Sequence, residues 1–387
     1  MRLAPARTAP ARHALAGSAL AAALFFSGGA SAAMAPKAVA DALGAAYATA
    51  AQKGDAKYES AVARGNDVVI RKMFVIGAVA SYEIAEIVVS NPTPRGDKAG
   101  FTASRIASSN STTNLATALA VTLTAATTVL EDVTVLPPGE TDPLLGSLRY
   151  KKGASSDLKI TEASVGRIMN ATRSTYERID LPNGAQSYII GTEGVTMPIS
   201  LFGPEEPFTK LGYSGDLKGS FLAEGTFDAA AGTLALTNFS VALADIGTLS
   251  LSASLAGLAS DKIMDASLSM EDRMMALYTS GTLASASIRF DNAGIVERVL
   301  DQQAKAAGVA RPALATSMAR ALPLLLTPAI ADAAFRSEFA NAAGKFLVEP
   351  RAIVVSGAPE KPMPLASLVL SVETLPAVLR LKARAEQ

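Results

Sequence analysis

The chain has 387 residues with one histidine, no cysteine and no tryptophan, and its 35 Lys and Arg balance 35 Asp and Glu to a formal charge of zero. The single histidine, His13, lies near the N-terminus, so everything downstream lacks imidazole and thiolate, the usual general bases, nucleophiles and transition-metal ligands near neutral pH. Zero net charge provides no footprint for nucleic acid, and without cysteine no disulfide can staple the fold.

Arg2, Arg7, Arg12 and His13 make a basic start, residues 14–26 an apolar stretch, and Ser27-Gly28-Gly29 leads into Ala30-Ser31-Ala32. This is the three-part layout of a secretory signal peptide over residues 1–32, with small side chains at the cut and too few apolar residues for a spanning helix of about 20. Export to the periplasm is expected, with no transmembrane span once the signal is removed. No cysteine follows to carry a lipid anchor.

Downstream, Val39, Leu43, Tyr47 and Ala50 recur at helical spacing over residues 36–53, with Pro36 in the first turn and Gly54 past the end. The period then changes to two. Residues 57–63, 67–76, 81–89 and 100–106 are β-branched and aromatic runs separated by turn formers, which predicts an antiparallel meander. The polar tract 108–114 reads as a loop, and 118–136 as a strand stopped by Pro137-Pro138-Gly139. These elements make an N-terminal helix-plus-meander module over 33–145, and a second module occupies 146–387.

An internal echo crosses that boundary. Arg105-Ile106 with Asn110 matches Arg178-Ile179 with Asn183, Ile84 and Glu86 match Ile160 and Glu162, and Glu131-Asp132-Val133-Thr134 is answered by Glu193-Gly194-Val195-Thr196. A duplicated β-module would make the molecule elongated, whereas a chance match carries no such consequence.

Residues 219–228 and 233–244 form a hairpin around a turn at 229–232, continued by 248–255. In the last strand Leu249, Leu251, Ala253 and Leu255 alternate with Thr248, Ser250, Ser252 and Ser254, giving one buried and one wet face. The middle strand changes parity between Leu234-Leu236 and Phe239-Val241-Leu243, so a β-bulge is expected at Thr237-Asn238. Beyond 260, helices are predicted over 261–279, 294–307, 312–326 and 328–347, and strands over 281–290 and 352–356. A proline-rich link at 359–364 and a short closing helix or strand follow. The fold class is α+β, mostly antiparallel sheet, with an N-terminal helix and C-terminal helices packed on it.

Ser156 and Lys159 have the spacing of the serine–lysine pair of penicillin-recognising enzymes, but that chemistry needs a helix and downstream Ser-Asp-Asn and Lys-Thr-Gly motifs, which do not follow. Glu131-Asp132, Glu205-Glu206 and Glu271-Asp272 lie outside any Gly-spaced calcium loop and read as solvated charge. No catalytic residue, metal ligand or cofactor is therefore assigned. The binding candidate is an apolar sheet face built from Phe221, Phe227, Leu234, Phe239, Leu249 and Leu251. Either the helices of 294–347 cover it, or part stays open as a groove for acyl chains.

The block from Leu211-Gly212-Tyr213 through Phe227-Asp228, Gly232-Thr233-Leu234, Leu236 and Gly247-Thr248-Leu249-Ser250-Leu251, with Phe290-Asp291 and Gly294, resembles uncharacterised exported proteins of alphaproteobacteria. More distantly it is similar to AsmA-like envelope proteins, and this resemblance implies repetitive β-structure associated with lipid handling and outer-membrane maintenance. The chain departs from the AsmA pattern by lacking an N-terminal membrane helix, so bridging of the periplasm is not implied. The reading is a non-catalytic exported protein that binds lipid or another hydrophobic ligand. A structural or protein-interaction module of the envelope is the alternative, and a Ser or carboxylate hydrolase the third.

Overall fold

The structure is a computed structural model that describes residues 34–386, apart from 53, 97, 117–119, 141, 143–144, 203–206, 266–267, 269 and 371–373. The expected signal, 1–32, and the pair Glu205-Glu206 lie outside the described residues.

Helix α1 (Pro36–Ala50) is followed by strands β1 (Asp55–Lys57), β2 (Ser60–Arg64), β3 (Asp67–Ile76), β4 (Ala80–Ser90), β5 (Thr93–Arg95), β6 (Lys98–Leu115), β7 (Val121–Val135), β8 (Leu148–Arg149), β9 (Lys152–Glu162), β10 (Gly166–Asp180) and β11 (Gln186–Pro198). A short helix α2 (Pro207–Lys210) precedes β12 (Asp216–Asp228), β13 (Thr233–Leu243) and β14 (Gly247–Ala256). Helices α3 (Ser260–Ile263) and α4 (Met270–Ser280) lead to β15 (Thr282–Asn292), and α5 (Ile295–Ala307), α6 (Arg311–Leu325) and α7 (Ala333–Val348) to β16 (Ala352–Gly357). The chain closes with β17 (Met363–Pro364), α8 (Leu365–Leu370), α9 (Leu375–Val378) and β18 (Lys382–Glu386).

All these strands belong to one sheet. The main ladder runs β3, β4, β6, β7, β9, β10, β11, β12, β13, β14, β15, β16, β18, each strand antiparallel to the next. Short connections account for most of this order, because a strand returning within a few residues lies antiparallel beside its predecessor, whereas β15 and β16 are joined through α5, α6 and α7. The ladder is unbroken across residue 145, where β7 pairs with β9.

The N-terminal end is dry. Val39 and Leu43 of α1 meet Ile70, Met73 and Val75 of β3, Ile87 and Val89 of β4, Phe101 of β6, and Val133 and Val135 of β7, all fully buried. Each such side chain contributes about 1.5–3 kcal/mol through removal from water. On β3 and β4 the buried residues are three apart at one point, Ile70 to Met73 and Ile84 to Ile87, which ordinary alternation forbids.

A row of residues left out of the pairing explains this. Lys72, Ala85, Asn110, Ala126, Asp157, Thr172 and Gly194 lie side by side across β3, β4, β6, β7, β9, β10 and β11, each skipped while its neighbours on both sides are paired. On every second strand the skipped residue is left-handed: φ is +47° at Lys72, +48° at Asn110, +50° at Asp157 and +60° at Gly194. Such a residue resets the alternation by one, so the apolar face resumes on the same side. At Gly194 contact adds to conformation, since a Cβ there would lie 1.8 Å from Thr172 Oγ1, which donates to the Glu193 carbonyl at 3.0 Å.

Several expectations need correction. The tract 108–114 is strand, the C-terminal part of β6, where most of its hydroxyls and amides stand opposite threonines of β7 and need no loop to reach water. The run 57–63 divides into β1 and β2, both paired to β3. The helix expected over 261–279 divides into α3 and α4, and the one expected from 328 begins at Ala333, where Asp332 Oδ1 accepts from the Phe335 amide at 2.8 Å. The closing segment holds both helix and strand. The bulge lies at Thr237-Asn238, opposite Ser252, where the parity change placed it. Of the internal echo, Asp132 and Gly194 share a left-handed φ followed by a buried valine, whereas Ile106 is buried and its counterpart Ile179 exposed.

Candidate functional site

Directly opposed residues on neighbouring strands share a face, so register alone traces the surface of this sheet. One row passes from Ile106 through Leu130, Gly153, Tyr176, Ile190, Ala223, Phe239 and Leu251 to Ile288 and Val355. Two residues along the strands, Thr192, Phe221, Val241, Leu249, Phe290 and Ile353 are opposed in the same way. Phe227, Leu234, Leu255 and Leu283 form a third such row. All six candidates, Phe221, Phe227, Leu234, Phe239, Leu249 and Leu251, therefore lie on one face of three adjacent strands. Phe221 and Phe239 stack edge to face at 5.2 Å.

The reverse face is hydroxylic. Ser240, Ser250 and Arg289 form one of its rows, Ser252, Ser287, Ser356 and Lys382 another. The bulge keeps the apolar side of β13 in phase: Thr237 Oγ1 donates to the Glu224 carbonyl at 3.1 Å, and the extra residue lets Leu236 and Phe239 point the same way, although Leu222 and Val354 stand at the ends of the Ser240 row on the reverse face.

The C-terminal helices cover only the last strands of the apolar face. Phe335 and Phe339 of α7 pack with Ile353, Val355 and Ala383, and Phe346 meets Phe290 edge on at 6.1 Å. At its lower margin Ile246, Leu243 and Tyr213 close against Ile295 of α5. Between these covers the face is open: Ile288 is 51% exposed, Leu249 49% and Phe239 37%. Sequence reasoning missed Leu236, Val241, Ile288 and Phe290, although the alternation within β15 carried the signal for the last two.

Toward β10 and β11 the same face turns polar. Tyr150, Tyr176 and Tyr188 stack at 5.2 and 6.3 Å, and the Tyr176 hydroxyl is buried without a hydrogen-bond partner. Burial, with Tyr188 alongside, holds the Tyr176 phenol well above its ordinary pKa. Arg178 lies 3.5 Å from Asp180 and 3.9 Å from Asp142, which also takes Arg149 at 3.0 Å, so charge here is balanced internally. Thr128 and Ser155 share a hydroxyl contact at 2.9 Å one row away.

The remaining candidates are scattered. Ser156 lies inside β9 with its hydroxyl 2.8 Å from Thr127 Oγ1, and Lys159 stands in register with Thr124 and Asn170. Glu131 faces Arg105 and Lys152 across the sheet, and Glu271 and Asp272 occupy the first turn of α4, where acids complement the helix dipole. Among the described residues no cluster of three or more Asp, Glu, His or Cys could hold a metal ion, and no helix is long and apolar enough to cross a membrane.

A protein-family model described as "Uncharacterized protein" matches residues 240–386, from within β13 through β18. The chain is similar to that family over β14, β15 and the C-terminal helices, well under half of its length. No curated protein matches the chain.

Proposed function

We propose that this is an exported, non-catalytic protein of the cell envelope that holds the acyl chain of a lipid, or a similarly apolar ligand, on the open face of β12–β15. The observation that carries this reading is the contiguous row Phe239, Leu251 and Ile288 beside Leu249, apolar on one face and serine-rich on the other, with its centre left uncovered by the helices at either end. Covering Phe239, Leu249 and Ile288 would recover on the order of 5 kcal/mol of apolar transfer free energy, before the cost of association. Export rests on the three-part pattern of residues 1–32. The absence of imidazole and thiolate downstream of His13 supports a role by shape and apolar surface.

Native mass spectrometry of the gently purified chain, with displacement of a fluorescent fatty acid in solution, tests the reading. Copurified lipid and saturable binding that Leu249→Asp and Ile288→Asp weaken at least tenfold are expected. A clean apo mass from lipid-rich preparations, together with no probe binding by the unsubstituted chain, would sink it.

A further inference from the structure

A second apolar surface stands apart from the sheet. Helices α6 and α7 pack as a hairpin, with Gly344 closely approached by Ala319, and at its apex Leu324 and Leu325 are 77% and 63% exposed. From Ala321 to Ala331 the sequence has no charged residue; Arg320 and Asp332 bound this stretch.

The amides of the turn from Leu326 to Ile330 are all bonded or prolyl. Leu326 donates to the Leu322 carbonyl at 2.9 Å, Thr327 to Leu324 at 3.2 Å, and Ala329 and Ile330 to Leu326 at 3.1 and 2.9 Å. Pro323 and Pro328 have no amide hydrogen, and Thr327 Oγ1 donates to the Pro323 carbonyl at 3.0 Å. An unpaired amide costs several kcal/mol in hydrocarbon, and between Leu326 and Ile330 none is left unpaired, which lowers the cost of placing the tip of the turn in a low-dielectric phase.

Charge points the same way. Arg320 is exposed, has no ion-pair partner among the described residues, and lies one helical turn before Leu324 on the same side of α6. Four residues of helix place the guanidinium about 6 Å above the leucine along the axis, the offset between lipid phosphate and the upper acyl chain that interfacial anchors use.

We propose that the α6–α7 apex is a membrane-surface anchor that inserts Leu324 and Leu325 among the acyl chains of an anionic phospholipid layer, with Arg320 at the phosphates. The proposal is independent of what the open sheet face carries.

The chain has no tryptophan, so Leu324→Trp installs a single reporter. With vesicles of phosphatidylglycerol and phosphatidylethanolamine, its emission should shift to the blue and be quenched by brominated acyl chains. Val309→Trp, just before the opposite end of α6 and also exposed, should respond to neither. A reporter at the apex also separates this contact from any made by residues 1–33. Leu324→Asp with Leu325→Asp should lower the vesicle-bound fraction at least tenfold with unchanged circular dichroism, and Arg320→Gln should weaken binding at low salt. The proposal is overturned if the apex reporter stays unshifted or if Val309→Trp responds equally. A shift that instead grows with protein concentration in the absence of vesicles would assign the apex to contact between copies and overturn it too.

Discussion

Ile106 and Ile288 stand on the same face of the same sheet, joined by one unbroken row of opposed residues, yet the first is 2% exposed and the second 51%. The strands around Ile106 lie under α1, whereas those around Ile288 lie between the strands that α7 covers and the tyrosine cluster of β10 and β11. Alternation decides which side of a sheet is apolar. Whether that side becomes a core or a surface depends on a helix arriving from elsewhere in the chain.

The contrast predicts unequal costs for equal truncations. Phe101→Ala, in the fully buried end, should lower unfolding free energy by about 3–5 kcal/mol, whereas Leu249→Ala should cost under about 1 kcal/mol, because solvent already reaches half of that side chain. Urea unfolding of both variants measures this. Equal losses would mean that the open face is covered in solution.

Alkali should reach the buried end through Tyr47, whose phenol is pushed up to about 12 by burial and by the neighbouring Tyr82 and Tyr150. A folded-state pKa above the ordinary value of about 10 means that this contribution is complete below pH ~10 and disappears as pH rises toward ~12, at most about 3 kcal/mol in all. Urea midpoints should fall over that window, and Tyr47→Phe should flatten the fall. An unchanged slope in the variant would assign the alkaline loss to other groups.

The smallest of the three effects concerns the row of skipped residues that crosses β3 to β11. Gly194→Ala must hold φ near +60° and place a Cβ against Thr172, so a loss of about 2 kcal/mol is expected. Gly65→Ala, also at positive φ but in a turn with open space around it, should cost about 1 kcal/mol. Matching losses would remove the steric part of the argument for Gly194.

Much of this architecture was legible in the residues. The helical spacing of Val39, Leu43 and Tyr47 marks α1, and the parity change from Leu236 to Phe239 locates the bulge within a residue. The alternation of Leu249 and Leu251 with serines marks the face. The tract 108–114 misled because serine, threonine and asparagine signal loops when read alone; in β6 they pair with Thr124, Thr127 and Thr128, and such pairing is visible only once β7 lies alongside. Asn110 and Asp157 are residue types that tolerate left-handed backbone and Lys72 is not, but what aligns the three is their shared row across the sheet, and that row exists only in three dimensions.

The amino-acid order by itself determined the strand periods, the side on which each strand is apolar and the absence of thiolate and imidazole chemistry beyond His13, because these follow from residue type and spacing. Tertiary structure alone decided that α1 and α7 cover the two ends of the sheet and leave Leu249 and Ile288 between them exposed. Cover depends on where a helix docks, and docking is settled by contacts between segments that no local pattern relates.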